Sequence, residues 1–132
     1  MDKQITIMVV DDEEDFCFFI QRNLERLGYH VVALSDPKKA FSCACDHSPD
    51  LILLDIMMPG EDGFEVLRGL KSDERTLSIP VVVLTGVDDD DARVKASALK
   101  NEDYIVKPVL VDELRQTLER ILTNRGLIDP HA

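Results

Sequence analysis

Five polar residues stand where apolar runs end. Asp11 and Asp12 follow "ITIMVV" (Ile5–Val10), Asp55 follows "LILL" (Leu51–Leu54), Thr85 closes "PVVVLT", and Lys107 closes "DYIVK". A carboxylate at the end of a core run is costly if buried without partners. Three of them together would repel one another, and a hard divalent cation relieves that repulsion. Mg²⁺ is the usual choice where one or two carboxylates act with phosphate oxygens. A lysine ammonium offers a point charge suited to a phosphate oxygen, and a threonine hydroxyl adds one more donor. Carboxylates, cation, ammonium and hydroxyl describe a phosphoryl-transfer site, where positioning and charge neutralisation do most of what the reaction needs. Asp55 is the natural nucleophile, because a carboxylate can form an acyl phosphate.

Each residue also has a plainer account. Asp11 could be only a helix N-cap, a role for which Asp is strongly preferred. Glu13, Glu14 and Asp15 solvate and charge the first turn of a helix. Asp62, before Gly63, reads better as a cap than as a ligand. Threonine commonly ends strands, and Lys107-Pro108 could be an ordinary turn. The placement of all five at strand ends is what favours chemistry.

The elements that must carry these residues alternate. "ITIMVV", "HVVAL" (His30–Leu34), "LILL", "PVVVLT" (Pro80–Thr85) and "DYIVK" (Asp103–Lys107) read as five strands, several of them apolar runs without polar alternation, as in strands covered on both faces. Between and after them lie helical patterns. Phe16, Ile20, Leu24 and Leu27 recur at helical spacing over 14–27, with Gly28 as a C-terminal cap. Ser35-Asp36-Pro37 opens a second helix. Phe64, Leu67 and Leu70 mark a third over 62–72, Asp88–Lys100 forms a fourth, and Leu114, Leu118 and Ile121 mark a fifth over 111–122. Such alternation predicts an α/β fold with a parallel sheet and helices on both faces. All five polar residues then fall on the carboxyl edge of the sheet, where open α/β sheets bind ligands. If strands 1 and 3 are neighbours, the three carboxylates share one crevice.

The 132 residues fit one domain, expected over 1–123, with 124–132 a loosely ordered tail or linker stub. No apolar run is long enough for a membrane helix, and the N-terminus lacks a signal-peptide pattern. The expected location is the cytoplasm, with no membrane association. A net charge of −11 opposes direct binding of nucleic acid by this domain. Cys17, Cys43 and Cys45 are expected as reduced thiols. "CACDH" sets Cys43 and His47 one helical turn apart, but no second ligand pair follows at zinc-finger spacing, so helix packing is the better account.

In their order and spacing "VVDDEED", "LILLDIMMPGEDG", "VVVLTG" and "DYIVKP" resemble the motifs of a response-regulator receiver domain, the CheY-like module of two-component signalling. The resemblance covers roughly the first 122 residues. It implies a flavodoxin-like, doubly wound fold with five parallel strands in the order 2-1-3-4-5 and five helices. It implies Asp55 as phosphoacceptor, and Asp11, Asp12 and the Met57 backbone carbonyl as holders, with Asp55, of Mg²⁺ (or Mn²⁺). It implies Thr85 as the switch hydroxyl, Lys107 as the lysine that pairs with the phosphoryl group, Tyr104 as the aromatic that follows the switch, and a cis Lys107-Pro108 peptide.

The implied function is a phosphorylation switch. A sensor histidine kinase or a histidine phosphotransfer protein donates the phosphoryl group. The face formed by the fourth helix, fifth strand and fifth helix then changes its affinity for a downstream protein or fused output domain, or forms a dimer. On this reading the domain is not an enzyme beyond catalysing its own phosphorylation and dephosphorylation. Two alternatives are a receiver-like docking module that is never phosphorylated and an aspartyl-phosphate phosphohydrolase. The dehalogenase-like form of the latter needs a second Asp where Met57 stands. Some positions depart from the family pattern. Asn101-Glu102 replace a common Gly-Ala pair, and Val109 replaces the Phe frequent in the winged-helix transcription-factor branch. Met57 and Val87, apolar here, cannot orient an attacking water, which predicts a comparatively long-lived acyl phosphate.

Overall fold

Apolar runs become the strands, and the three most apolar become the centre of the sheet. In a computed structural model, which describes residues 4–57, 63–86, 94, 98 and 101–129, β1 (Thr6–Val10), β2 (His30–Leu34), β3 (Leu51–Asp55), β4 (Val81–Thr85) and β5 (Asp103–Val106) pair in parallel in the order β2-β1-β3-β4-β5. Every residue of β3 and β4 is buried, whereas the edge strands β2 and β5 alternate in exposure. The fold is the flavodoxin-like α/β arrangement of the expectation.

Side chains leave the sheet on alternate faces, and each face has its own core. Ile7, Val9, Leu51, Leu53, Leu84 and Ile105 pack against α1 (Glu14–Arg26) and the C-terminal helix (Val111–Asn124). Met8, Val10, Ile52, Leu54, Val81 and Val83 pack against α2 (Ala40–His47) and α3 (Gly63–Lys71). Burying each of these larger side chains contributes about 1.5–3 kcal/mol relative to leaving it in water. Leu27, expected in the buried stripe of α1, is instead the C-cap and largely exposed. Gly28 follows at φ +97°, donating to the Glu25 carbonyl while Tyr29 donates to that of Leu24, so the left-handed turn a glycine permits ends α1.

The helix expected from Pro37 begins as a short 3₁₀ turn, Pro37–Lys39, whose N-cap Asp36 accepts from the Lys38 amide, and only then becomes α2. Four α-helices are seen among the described residues, not the expected five. The helix expected over 88–100 lies largely outside them, though Val94 and Ala98 are helical. Past the C-terminal helix, where a tail is expected, the chain makes one more turn. Gly126, at φ +73°, turns the chain back as Gly28 does, and Leu127 and Ile128 pack against the α1-side core. Among the described residues no helix is long and apolar enough to cross a membrane.

Candidate functional site

Asp11 sits one residue past β1, and its amide still donates to Leu34 O at 3.1 Å. Its side chain is fully buried. Oδ1 accepts from the Glu13 amide at 2.9 Å and Oδ2 accepts from Lys107 Nζ at 2.8 Å. The buried Cys17 thiol donates to the Asp11 carbonyl at 3.2 Å. Asp11 is therefore not the N-cap of α1. Glu13 takes that position without a side-chain cap bond, and Asp11 shapes the turn that leads into it.

Asp55 ends β3 with its side chain almost wholly buried. Oδ1 accepts from the Met57 amide at 2.8 Å, and Oδ2 accepts from Lys107 Nζ at 3.2 Å. Burial pushes its carboxyl above the usual range and the neighbouring Asp11 charge adds to this, while the Met57 amide and Lys107 oppose it. For Lys107, burial favours the neutral amine, but the hydrogen bond it donates to Asp11 and the charges of Asp55 and Asp11 outweigh it and raise the pKa.

Lys107 reaches the carboxylates because its amide donates to Thr85 O at 2.8 Å, which carries the β4–β5 pairing one residue beyond β5. The Lys107-Pro108 peptide is cis. Nζ also lies 4.3 Å from the centroid of the Phe16 ring, on the first turn of α1.

One carboxylate oxygen from each of Asp11, Asp12 and Asp55 lies within 4.8 Å of the other two. Two oxygens sharing one Mg²⁺ at about 2.1 Å each stand at most about 4.2 Å apart, so small side-chain movements complete the set. The donors are hard oxygens and three in number, and the site fits that ion. It is the only cluster of three or more metal-donor side chains among the described residues. Cys43 Sγ and His47 Nδ1 lie 3.6 Å apart without a third ligand, and all three thiols are free.

Thr85 shares the edge but not the face. Asp55 pairs in register with Leu84, so Thr85, one step on, follows Val81 and Val83 toward the α2–α3 side. It is fully buried, and among the described residues its Oγ1 has no hydrogen-bond partner. Tyr104 on β5 is 41% exposed, and Met57 is 54% exposed beyond its amide bond to Asp55. Asp62 and Val87 lie outside the described residues.

Two supports of this site are not among the residues that the sequence pattern singled out for it. Gly63 opens α3 against the end of β3. A Cβ there would stand 2.4 Å from Ile56 Cα and 3.0 Å from Asp55 O, so only glycine lets the helix start this close. Phe16 falls in the helical stripe, where packing alone accounts for it. A motif of Gly soon after a strand-end Asp could have flagged the first; only the fold brings Lys107 to the second.

Residues 7–119 match the family model of the response regulator receiver domain. The chain is similar to the phosphate regulon transcriptional regulatory protein PhoB of Pseudomonas aeruginosa, 38% identical over 127 residues that cover 96% of this chain and 56% of that protein. It is equally similar to the alkaline phosphatase synthesis transcriptional regulatory protein PhoP of Bacillus subtilis, 38% identical over 126 residues covering 96% and 52%. The chain thus spans about half the length of these curated relatives. Among solved structures it is similar to chemotaxis protein CheY4 of Vibrio cholerae, with TM-score 0.85 and 25% identity over 91% of this chain and 100% of that one. It is also similar to the receiver domain of the sensor histidine kinase PA1611 of Pseudomonas aeruginosa PAO1, whose structure has a magnesium ion coordinated in the active site cleft. There the TM-score is 0.80 at 28% identity, over 89% of this chain and 97% of that one.

Proposed function

The chain belongs to the response regulator receiver domain family, and from that premise we propose that Asp55 is its phosphoacceptor. The observation that carries this reading is the convergence of Asp11, Asp12 and Asp55 with the Lys107 ammonium bonded to two of them. The Met57 amide fixes one Asp55 oxygen and Lys107 the other, so the carboxylate is held in one orientation before any donor arrives. An Asp55 oxygen attacks phosphorus while the bond from phosphorus to the imidazole nitrogen of a phosphohistidine breaks, and the imidazole leaves. The donor is a sensor histidine kinase or a histidine phosphotransfer protein. Mg²⁺ held by Asp11, Asp12, Asp55 and the Met57 carbonyl would neutralise charge on the transferring oxygens. Lys107 moves its contact from the Asp55 carboxylate to a phosphoryl oxygen.

The new group carries about −1.5 to −2 charge where −1 stood. Thr85 Oγ1, buried and without a partner among the described residues, gains an acceptor when it turns to that group. The exposed Tyr104 then repacks. Phosphorylation biases an existing two-state equilibrium and so the affinity for a downstream protein or fused output domain. PhoB and PhoP, as transcriptional regulatory proteins roughly twice as long as this chain, make a regulator of transcription the favoured output.

Incubation with acetyl phosphate and Mg²⁺, read by intact mass, tests the assignment. One phosphoryl group should be gained by the wild type and none by Asp55→Asn. Equal gain by both would overturn it, and multiple turnover of substrate would point to a phosphohydrolase instead.

A further inference from the structure

We propose that Phe16 is a positioning residue for the Lys107 ammonium, acting through the face of its ring. This rests on the reading of Asp55 as phosphoacceptor with Lys107 beside it. Among the described residues the ammonium has three close neighbours: Asp11 Oδ2 at 2.8 Å, Asp55 Oδ2 at 3.2 Å and the Phe16 ring centroid at 4.3 Å. The two oxygens are directional acceptors. The ring is a broad electron-rich face within the roughly 6 Å range over which cations are attracted to aromatic rings.

Its value lies in what changes during phosphoryl transfer. In the free protein both carboxylates hold the lysine. With a divalent cation held by Asp11 and a phosphoryl group on Asp55, both of these contacts would weaken or move. The ring does not change charge or ligand. It therefore holds the ammonium over the site through the exchange and limits its escape to water, to which the Lys107 side chain is already 23% exposed. Phe16 can do this because α1 fixes it. The Asp11 carboxylate orders the turn before the helix, the Cys17 thiol ties its first turn to the Asp11 carbonyl, and Phe16 packs against the core through the same face as Ile20 and Leu24. A leucine would fill much of that space and present no π face.

The test compares Phe16→Leu, Phe16→Tyr and a series carrying one to several fluorines on the Phe16 ring, which drain the face while nearly keeping its shape. Phosphorylation by acetyl phosphate with Mg²⁺ should slow about two- to fivefold in Phe16→Leu, the factor that a partly solvated cation–π contact is worth. Phe16→Tyr should keep the wild-type rate, and the fluorinated series should slow stepwise without a matching fall in Tm. In NMR spectra the Lys107 ε protons should lose their upfield ring-current shift in Phe16→Leu. In a Lys107→Ala background, Phe16→Leu should cost no further rate. A flat fluorine series, or equal rates for the Leu and Tyr variants, makes Phe16 core filling only and overturns the proposal while Asp55 keeps its role. If the wild type gains no phosphoryl group on Asp55, both fall together.

Discussion

At the amino edge of the sheet, Lys71 donates to the Ile79 carbonyl at 2.7 Å and to that of Leu77 at 3.3 Å. Arg125 bonds the Ser78 carbonyl and pairs with Glu102. Asp50 accepts from the Thr6 amide, and the buried Thr76 hydroxyl donates to Leu70 O at 2.6 Å. Cations there meet carbonyls or a carboxylate, and Asp50 meets an amide. At the carboxyl edge one ammonium is divided between two buried carboxylates, a third lies within reach, and a buried hydroxyl makes no bond among the described residues. One fold thus carries a satisfied end and an unsatisfied one. The first anchors the helices and the last turn of the chain. The second keeps polar groups in arrangements that a cation or a phosphoryl group would improve.

The strongest challenge to this contrast is Gly63→Ala. The methyl group would collide with backbone, which cannot rotate away, so we expect a loss of about 2–3 kcal/mol in chemical denaturation, together with slow phosphorylation because Asp55 shifts with Ile56. An alanine variant of wild-type stability and rate would mean that the closeness of α3 to β3 is unimportant.

The next is one substitution made at both edges. Thr76→Val removes a bond and leaves a buried carbonyl short of a donor, costing about 1–3 kcal/mol, with phosphorylation unchanged. Thr85→Val removes a hydroxyl that has no partner among the described residues, so stability should hold or rise by about 1 kcal/mol, while the response to phosphorylation, read as chemical-shift change at Tyr104, disappears. Equal losses of stability in the two variants would erase the difference between the edges.

The smallest signal is a pH dependence. Burial, with the Asp11 charge, raises the Asp55 pKa, so the folded protein holds that proton more tightly than the unfolded chain. Stability from this group is present at low pH and is lost as pH rises from the unfolded carboxylate value to the raised one. Asp55→Asn escapes the loss. Its Tm advantage, measured in chelator, should be greatest at neutral pH and shrink on acidification. An offset independent of pH would show that the buried charge is not the cause.

Much of this edge was legible in the sequence because strand ends are. An apolar run that stops at a polar residue marks both the strand and its exit, and parallel alternation sends all exits to one side. That logic found Asp11, Asp55, Thr85 and Lys107. It could not see phase. Asp55 and Thr85 look alike as strand-end residues, yet the β3–β4 register puts them on opposite faces. Nor could it see Phe16 and Gly63 as parts of the site, since a helical stripe and a loop glycine acquire that meaning only when a distant lysine or the backbone of β3 arrives beside them. Val109 is a further case. It departs from the family's frequent Phe, and only the fold shows that it is half-buried against the core.

The one-residue offset between Asp55 and Thr85 makes the sheet a partition. On the proposed reading, a phosphoryl group on Asp55 would press from the α1 side, and Thr85 would respond from the α2–α3 side. Because both stand at the rim, news would pass around the end of the partition and not through its close-packed middle, which resists small deformations. A message carried this way needs no rearrangement of the core, and the domain could be pressed and released many times without its interior being disturbed.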